Sequence, residues 1–500
     1  MTTARTTPYQ ELESRFERLS KIGEAAGILQ WDMATNMPTG GAVARAGQLS
    51  VLKVLRHEIL CHPALADFLD AATADRGLDA WQRANLAAMA RRRARAVAVD
   101  ADLVRRLSEA GSACEMLWRT AKDKADFAII VPALTELRDL VAERAAALGE
   151  GLGLDPYDAL LDGFEPGGRA AAIAPVFDDL ALFLPGFTDD VLARQEAAGP
   201  PLDLPGPFAI DAQRGLCRSM MEAVGFDFTH GRLDESHHPF CGGVPEDIRI
   251  TTRYSEGDFM PGLMGVLHET GHALYEQNLP VDWRHQPVGG ARGMVLHESQ
   301  SLMIEMQACR SAQFIAFAAP RMAAAFNGSG PAWEVDNIHR HTTRVARGFI
   351  RVDADEVTYP AHVIMRFHLE RAMLAGDLDV ADLPGAWAEQ TRALLGLTPA
   401  DDSEGCLQDI HWYDGAWGYF PTYTLGAMAA AQLFAAATLA RPGIPDGLAA
   451  GDFTPLVGWL RENVHQKASL LSTDELLAEA TGSPLNAEAF KTHLRARYLA

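Results

Sequence analysis

The chain has 500 residues, of which 48% are hydrophobic, and 66 acidic against 44 basic side chains give a formal charge of −22. The apolar fraction is enough for a large core, two or three domains by length alone, and the charge repels phosphate backbones and anionic lipid, which argues against nucleic acid or membrane as partner. The six cysteines (Cys61, Cys114, Cys217, Cys241, Cys309 and Cys406) lie too far apart for a C-x-x-C redox motif or zinc ribbon and read as buried thiols.

The N-terminus, MTTARTTPYQELESRFERL, has no apolar stretch of signal-peptide type, so a reducing cytoplasm is the expected location. Helical periodicity follows at once. Leu12, Phe16, Leu19 and Ile22 mark one stripe, and Leu134, Leu137, Val141 and Leu148 mark another just after Pro132, a favoured first-turn residue. Such stripes recur along the chain while strand alternation is rare, so the expected fold class is mainly α. Proline and glycine cluster at 164–168, 199–207 and 442–447 and predict loops. The most apolar segment, 425–440, is broken by Gln432 and Thr438, falls short of a membrane span and reads as a buried helix.

One short segment alternates. Ile248, Ile250 and Thr252 fall on one face of a strand and Asp247, Arg249 and Thr251 on the other. It ends just before the next helix, where an edge strand could hydrogen-bond an extended peptide; a half-buried surface strand is the plainer alternative.

That next helix, beginning near Pro261, carries His268-Glu269-Thr270-Gly271-His272. The i, i+4 spacing stacks both imidazoles on one face, where they can share a zinc ion, and leaves Glu269 offset as a general base. With 16 histidines in 500 residues, random placement gives roughly 0.07 such motifs per chain. A catalytic zinc needs a third protein ligand. HESQSLMIEMQ offers His297, Glu298 and Glu305 on a second helix; Glu298, 26 residues after His272, is the first choice and Glu305 the alternative.

Several strings together resemble the carboxypeptidase Taq family of zinc metallocarboxypeptidases. They are HPF at 238–240, DIRIT at 247–251, HETGH, HES at 297–299, IRVDADEVTY at 350–359 and GCLQDIHW at 405–412, in the family's order and over nearly the whole chain. The resemblance implies a single large helical, spatula-like fold with a deep groove, akin to neurolysin. Residues 1–230 would form mostly the helical groove wall, 231–430 the catalytic motifs and 431–500 the C-terminal helices. It further implies a homodimer that removes single C-terminal residues from peptides with broad specificity, one Zn2+ per chain, with Co2+ as another divalent possibility. By motif, His268, His272 and Glu298 are the metal ligands and Arg351 receives the substrate's terminal carboxylate. His411 and Tyr423 stabilise the oxyanion, and Tyr419, one turn away, could take the tyrosine's role. His238 and Arg249 are further substrate-binding candidates. Outside the family pattern, Arg351 would instead pair with Asp353, Asp355 or Glu356. Some positions depart from the pattern, among them Ala468, where a glycine is common.

Overall fold

A computed structural model describes residues 6–500. The predicted stripes become the buried faces of helices. Thr7 caps the first helix, Pro8–Thr35, in a reciprocal box with Gln10, and the helix buries Leu12, Phe16 and Leu19; Ile22 is half-buried. Val131–Leu152 carries its proline in the first turn and buries Leu134, Leu137, Val141 and Leu148. The fold is mainly α, with a single three-stranded sheet among the described residues.

The chain forms two compact units, each assembled from three stretches. One comprises residues up to 96, 201–342 and 429–485; the other comprises 97–200, 343–428 and 486–500.

Three expectations need correction. The alternating segment is strand β3 (Asp247–Thr252), and it is the central strand of its sheet, not an edge. It pairs parallel with β1 (Gly231–Glu235) and antiparallel with β2 (Phe240–Val244). Ile248, Ile250, Thr251 and Thr252 are all buried, and the helix that follows the strand packs against it. Neither flanking strand has an alternating apolar pattern, and β2 depends on a glycine. Gly243 sits at φ +97°, where an added Cβ would lie 2.1 Å from the Asp247 carbonyl oxygen.

The predicted loop at 442–447 is only a turn, because Pro445 starts a helix instead of interrupting one: Ile444–Ala450 has it in its first turn. The apolar segment at 425–440 belongs to a longer helix, Pro421–Ala440. By length and composition that helix and Ala170–Ala198 are long and apolar enough to cross a membrane; 61% of the former's apolar window is buried inside the fold. All six cysteines are free, four of them buried and Cys61 and Cys241 half-buried.

Candidate metal centre

The helix Met260–Gln277 is buried on nearly every side, from Gly262 to Tyr275. Pro261 opens it, and the His-Glu-x-x-His segment occupies its middle. It packs against Gly293–Leu302, and Gly271 makes that approach possible: a Cβ there would meet the Gln300 carbonyl oxygen at 2.3 Å and Ser301 Cα at 2.6 Å. The close pairing of two backbones brings Glu298 beneath the two imidazoles.

His268, His272 and Glu298 each offer one ligand atom, and these atoms lie within 4.8 Å of one another. Glu298 Oε2 stands 3.6 Å from His272 Nε2 and 3.9 Å from His268 Nε2. The opposite ring nitrogens are engaged elsewhere. His268 Nδ1 is 3.0 Å from Glu305 Oε2, and His272 Nδ1 is 3.0 Å from the His297 carbonyl oxygen. Metal binding here would require both rings neutral, with each Nδ1 donating and each Nε2 lone pair facing the shared space, the usual outer arrangement around histidine-bound metals. Two imidazole nitrogens and a carboxylate oxygen are a donor set that fits zinc. His297 adds a further link, its Nε2 lying 2.9 Å from Glu276 Oε1.

Glu305 is therefore set apart from Glu298 although the two are one heptad apart. Beyond Leu302 the helix winds as a π-helix, Met303–Ala308, which breaks the α phase that would put the two acids on one face. Arg310 holds the other Glu305 oxygen at 2.6 Å. Burial would raise the Glu305 carboxyl, but Arg310 and His268 outweigh it and bring it down to about 2.

Charge is concentrated here. Burial disfavours an imidazolium at His268, yet Glu298, Glu305 and Glu269 together raise it to about 10. Burial, reinforced by Glu298 and Glu305, raises Glu269 to about 7. His272 is pushed well below the usual imidazole range by burial and by its two histidine neighbours. Three buried carboxylates around two histidines favour a cation at this place.

Arg249 and His238 belong to the same unit but not to this cluster. Arg249 pairs with Asp247 at 2.8 Å and lies over the Trp31 ring at 4.1 Å. His238 is exposed, and its carbonyl oxygen accepts from Ser236.

In the other unit the structure gathers Arg351, His411, Tyr419 and Tyr423. His411 Nε2 is 3.3 Å from the Tyr423 hydroxyl, the rings of Tyr419 and Tyr423 meet edge to face at 5.0 Å, and Arg351 Cζ lies 5.0 Å over the Tyr423 ring. Arg351 does not pair with the acids that follow it. Asp355 accepts backbone N–H groups of Ala346, Val357 and Thr358, and Glu356 is held by His493, Arg497 and Tyr498. The partner of Arg351 is Asp409, at 2.8 Å. Asp409 lies in the GCLQDIHW string, but nothing local in the sequence ties it to an arginine 58 positions earlier. Glu276 was findable: it stands four residues after His272, on the same helix face.

The profile of a family described as Carboxypeptidase Taq (M32) metallopeptidase matches residues 11–498. The chain is 36% identical to thermostable carboxypeptidase 1 of Thermus thermophilus and 34% identical to thermostable carboxypeptidase 1 of Pyrococcus furiosus, over 98% of each chain in both cases. Among solved structures, metallocarboxypeptidase 1 of Trypanosoma cruzi superposes with a TM-score of 0.96 at 40% identity over 99% of both chains. An M32 carboxypeptidase from Deinococcus radiodurans superposes with a TM-score of 0.93 at 36% identity over 98% of both.

Proposed function

The chain belongs to the carboxypeptidase Taq (M32) metallopeptidase family, and on that premise we propose that it is a zinc enzyme releasing single residues from peptide C-termini with broad specificity. The observation that carries this reading is the convergence of His268 Nε2, His272 Nε2 and a Glu298 oxygen, with both Nδ1 atoms fixed from behind. A zinc ion held by these three residues would supply a Lewis acid able to polarise a carbonyl and to make a water acidic near neutral pH.

Glu269 takes the proton of the attacking water and returns it to the leaving amine. Its burial on the helix that carries both histidines supports a general-base role. Tyr423 and His411 donate to the developing oxyanion. Burial and the nearby Arg351 push His411 down to about 4, so its imidazole is neutral at pH 7 and one ring nitrogen is a donor. Tyr419 packs beside both rings and shapes that surface. Arg351 receives the terminal carboxylate through its guanidinium fork, and His238 and Arg249 contact the peptide elsewhere.

Glu269→Gln tests the assignment. The variant should keep its metal and lose two to four orders of magnitude in kcat, because the ligands remain while the proton acceptor is gone. Near wild-type turnover at full metal content would remove Glu269 from the chemistry.

A further inference from the structure

Arg351 and Arg366 share one carboxylate in a nearly dry place. Side-chain exposure is 7% for Arg351, 0% for Arg366 and 10% for Asp409. Asp409 Oδ1 accepts from Arg351 Nε at 3.0 Å and Nη2 at 2.8 Å. Its Oδ2 accepts from Arg366 Nε at 2.7 Å, with Arg366 Nη2 at 2.6 Å. The histidines coupled to these arginines add no charge at neutral pH, since burial and the guanidinium groups push His362 down to about 3 and His411 to about 4. The cluster therefore holds two positive charges and one negative.

An unbalanced buried charge is costly unless something pairs with it. Arg351 has the means to receive an anion. Asp409 takes its Nε and one N–H of Nη2, Tyr359 takes one of Nη1 at 3.2 Å, and one N–H remains on each Nη atom. Arg366 has no such access. It is fully buried, lies over the Trp387 ring at 4.5 Å and donates to the His362 carbonyl oxygen at 2.7 Å.

We propose that Arg366 is a positioning residue that sets the selectivity for a free carboxylate: it neutralises and holds Asp409, so that Arg351 is gripped along one edge while the cluster keeps one net positive charge for the incoming anion. This rests on the proposed role of Arg351 as the carboxylate receptor. Without Arg366 the Arg351–Asp409 pair is neutral, and a substrate carboxylate would bring a net negative charge into a buried site.

The test uses the metal-loaded enzyme and a matched pair of peptides, one ending in a free acid and one in an amide, with melting curves alongside. Arg366→Gln should lower kcat/KM for the acid peptide at least tenfold more than for the amide, mainly through KM. Arg366→Lys should retain part of the preference. The double variant Arg366→Gln, Asp409→Asn restores one net positive charge, so it should regain acid preference over Arg366→Gln alone. Arg351→Ala should also lose acid turnover selectively; equal losses on both peptides there would overturn the receptor role and the inference with it. Selective loss in Arg351→Ala with equal losses in Arg366→Gln, or a double variant no more selective than the single, would overturn the inference alone. If Arg366→Gln does not fold, the double variant decides: it must still prefer the acid, and loss of that preference overturns the proposal.

Discussion

Glu298 and Glu305 face opposite nitrogens of one imidazole, His268, and this difference in address separates a proposed ligand from its proposed support. A carboxylate on the Nε2 side can reach a metal shared with His272. One on the Nδ1 side orients the ring and raises its basicity. Glu298→Ala is therefore expected to abolish stable metal retention, and Glu305→Ala to weaken affinity by about 10–100-fold. Metal content after dialysis against graded chelator measures both, and the reverse order would move the ligand role to Glu305. The i, i+4 histidine pair was legible in the sequence because both residues lie on one regular helix. Spacing alone left the choice between the two acids open, because a π-helical turn inside the second helix changes the phase. Asp409 was missed for a similar reason: its role depends on two arginines brought to it by tertiary packing, while the sequence offered Arg351 three nearer acids.

Two small residues govern packing and strain beside the candidate centre, one through a close approach and the other through its backbone angles. Gly271 lets Met260–Gln277 lie backbone to backbone against Gly293–Leu302. Ala468 has φ +45° and ψ −123°, a conformation strained for any residue with a Cβ. It follows the turn carrying His465, whose Nε2 is 3.0 Å from Gln300 Oε1, two residues past Glu298. The two substitutions should act in opposite directions. Gly271→Ala forces the helices apart and should cost about 1–3 kcal/mol together with metal affinity. Ala468→Gly relieves strain and should add about 1 kcal/mol. Thermal unfolding of the two variants checks both signs; a higher Tm for Gly271→Ala or a lower one for Ala468→Gly would contradict this account of the packing. At this scale the helices were readable from periodicity, whereas the sheet was not: only β3 alternates, and its central place depends on two short strands without a pattern of their own.

Each unit of the molecule is built from three separated stretches, so neither is one continuous piece of the chain. Composition foretold a large core and periodicity a mainly α class. Neither indicates which stretches fold together, because contacts between segments hundreds of residues apart leave no local mark. The order of the motifs carried more information than any composition shift, and the family match over residues 11–498 agrees with it. What the zinc motif alone does not specify is which end of a peptide is attacked. The most direct measurement is mass spectrometry of an N-terminally blocked peptide incubated with the enzyme, with chelator, and with chelator followed by added Zn2+. The account predicts a ladder shortened one residue at a time from the C-terminus, stopped by chelator and restored by the metal. Internal fragments, or shortening that continues undiminished in chelator, would contradict it.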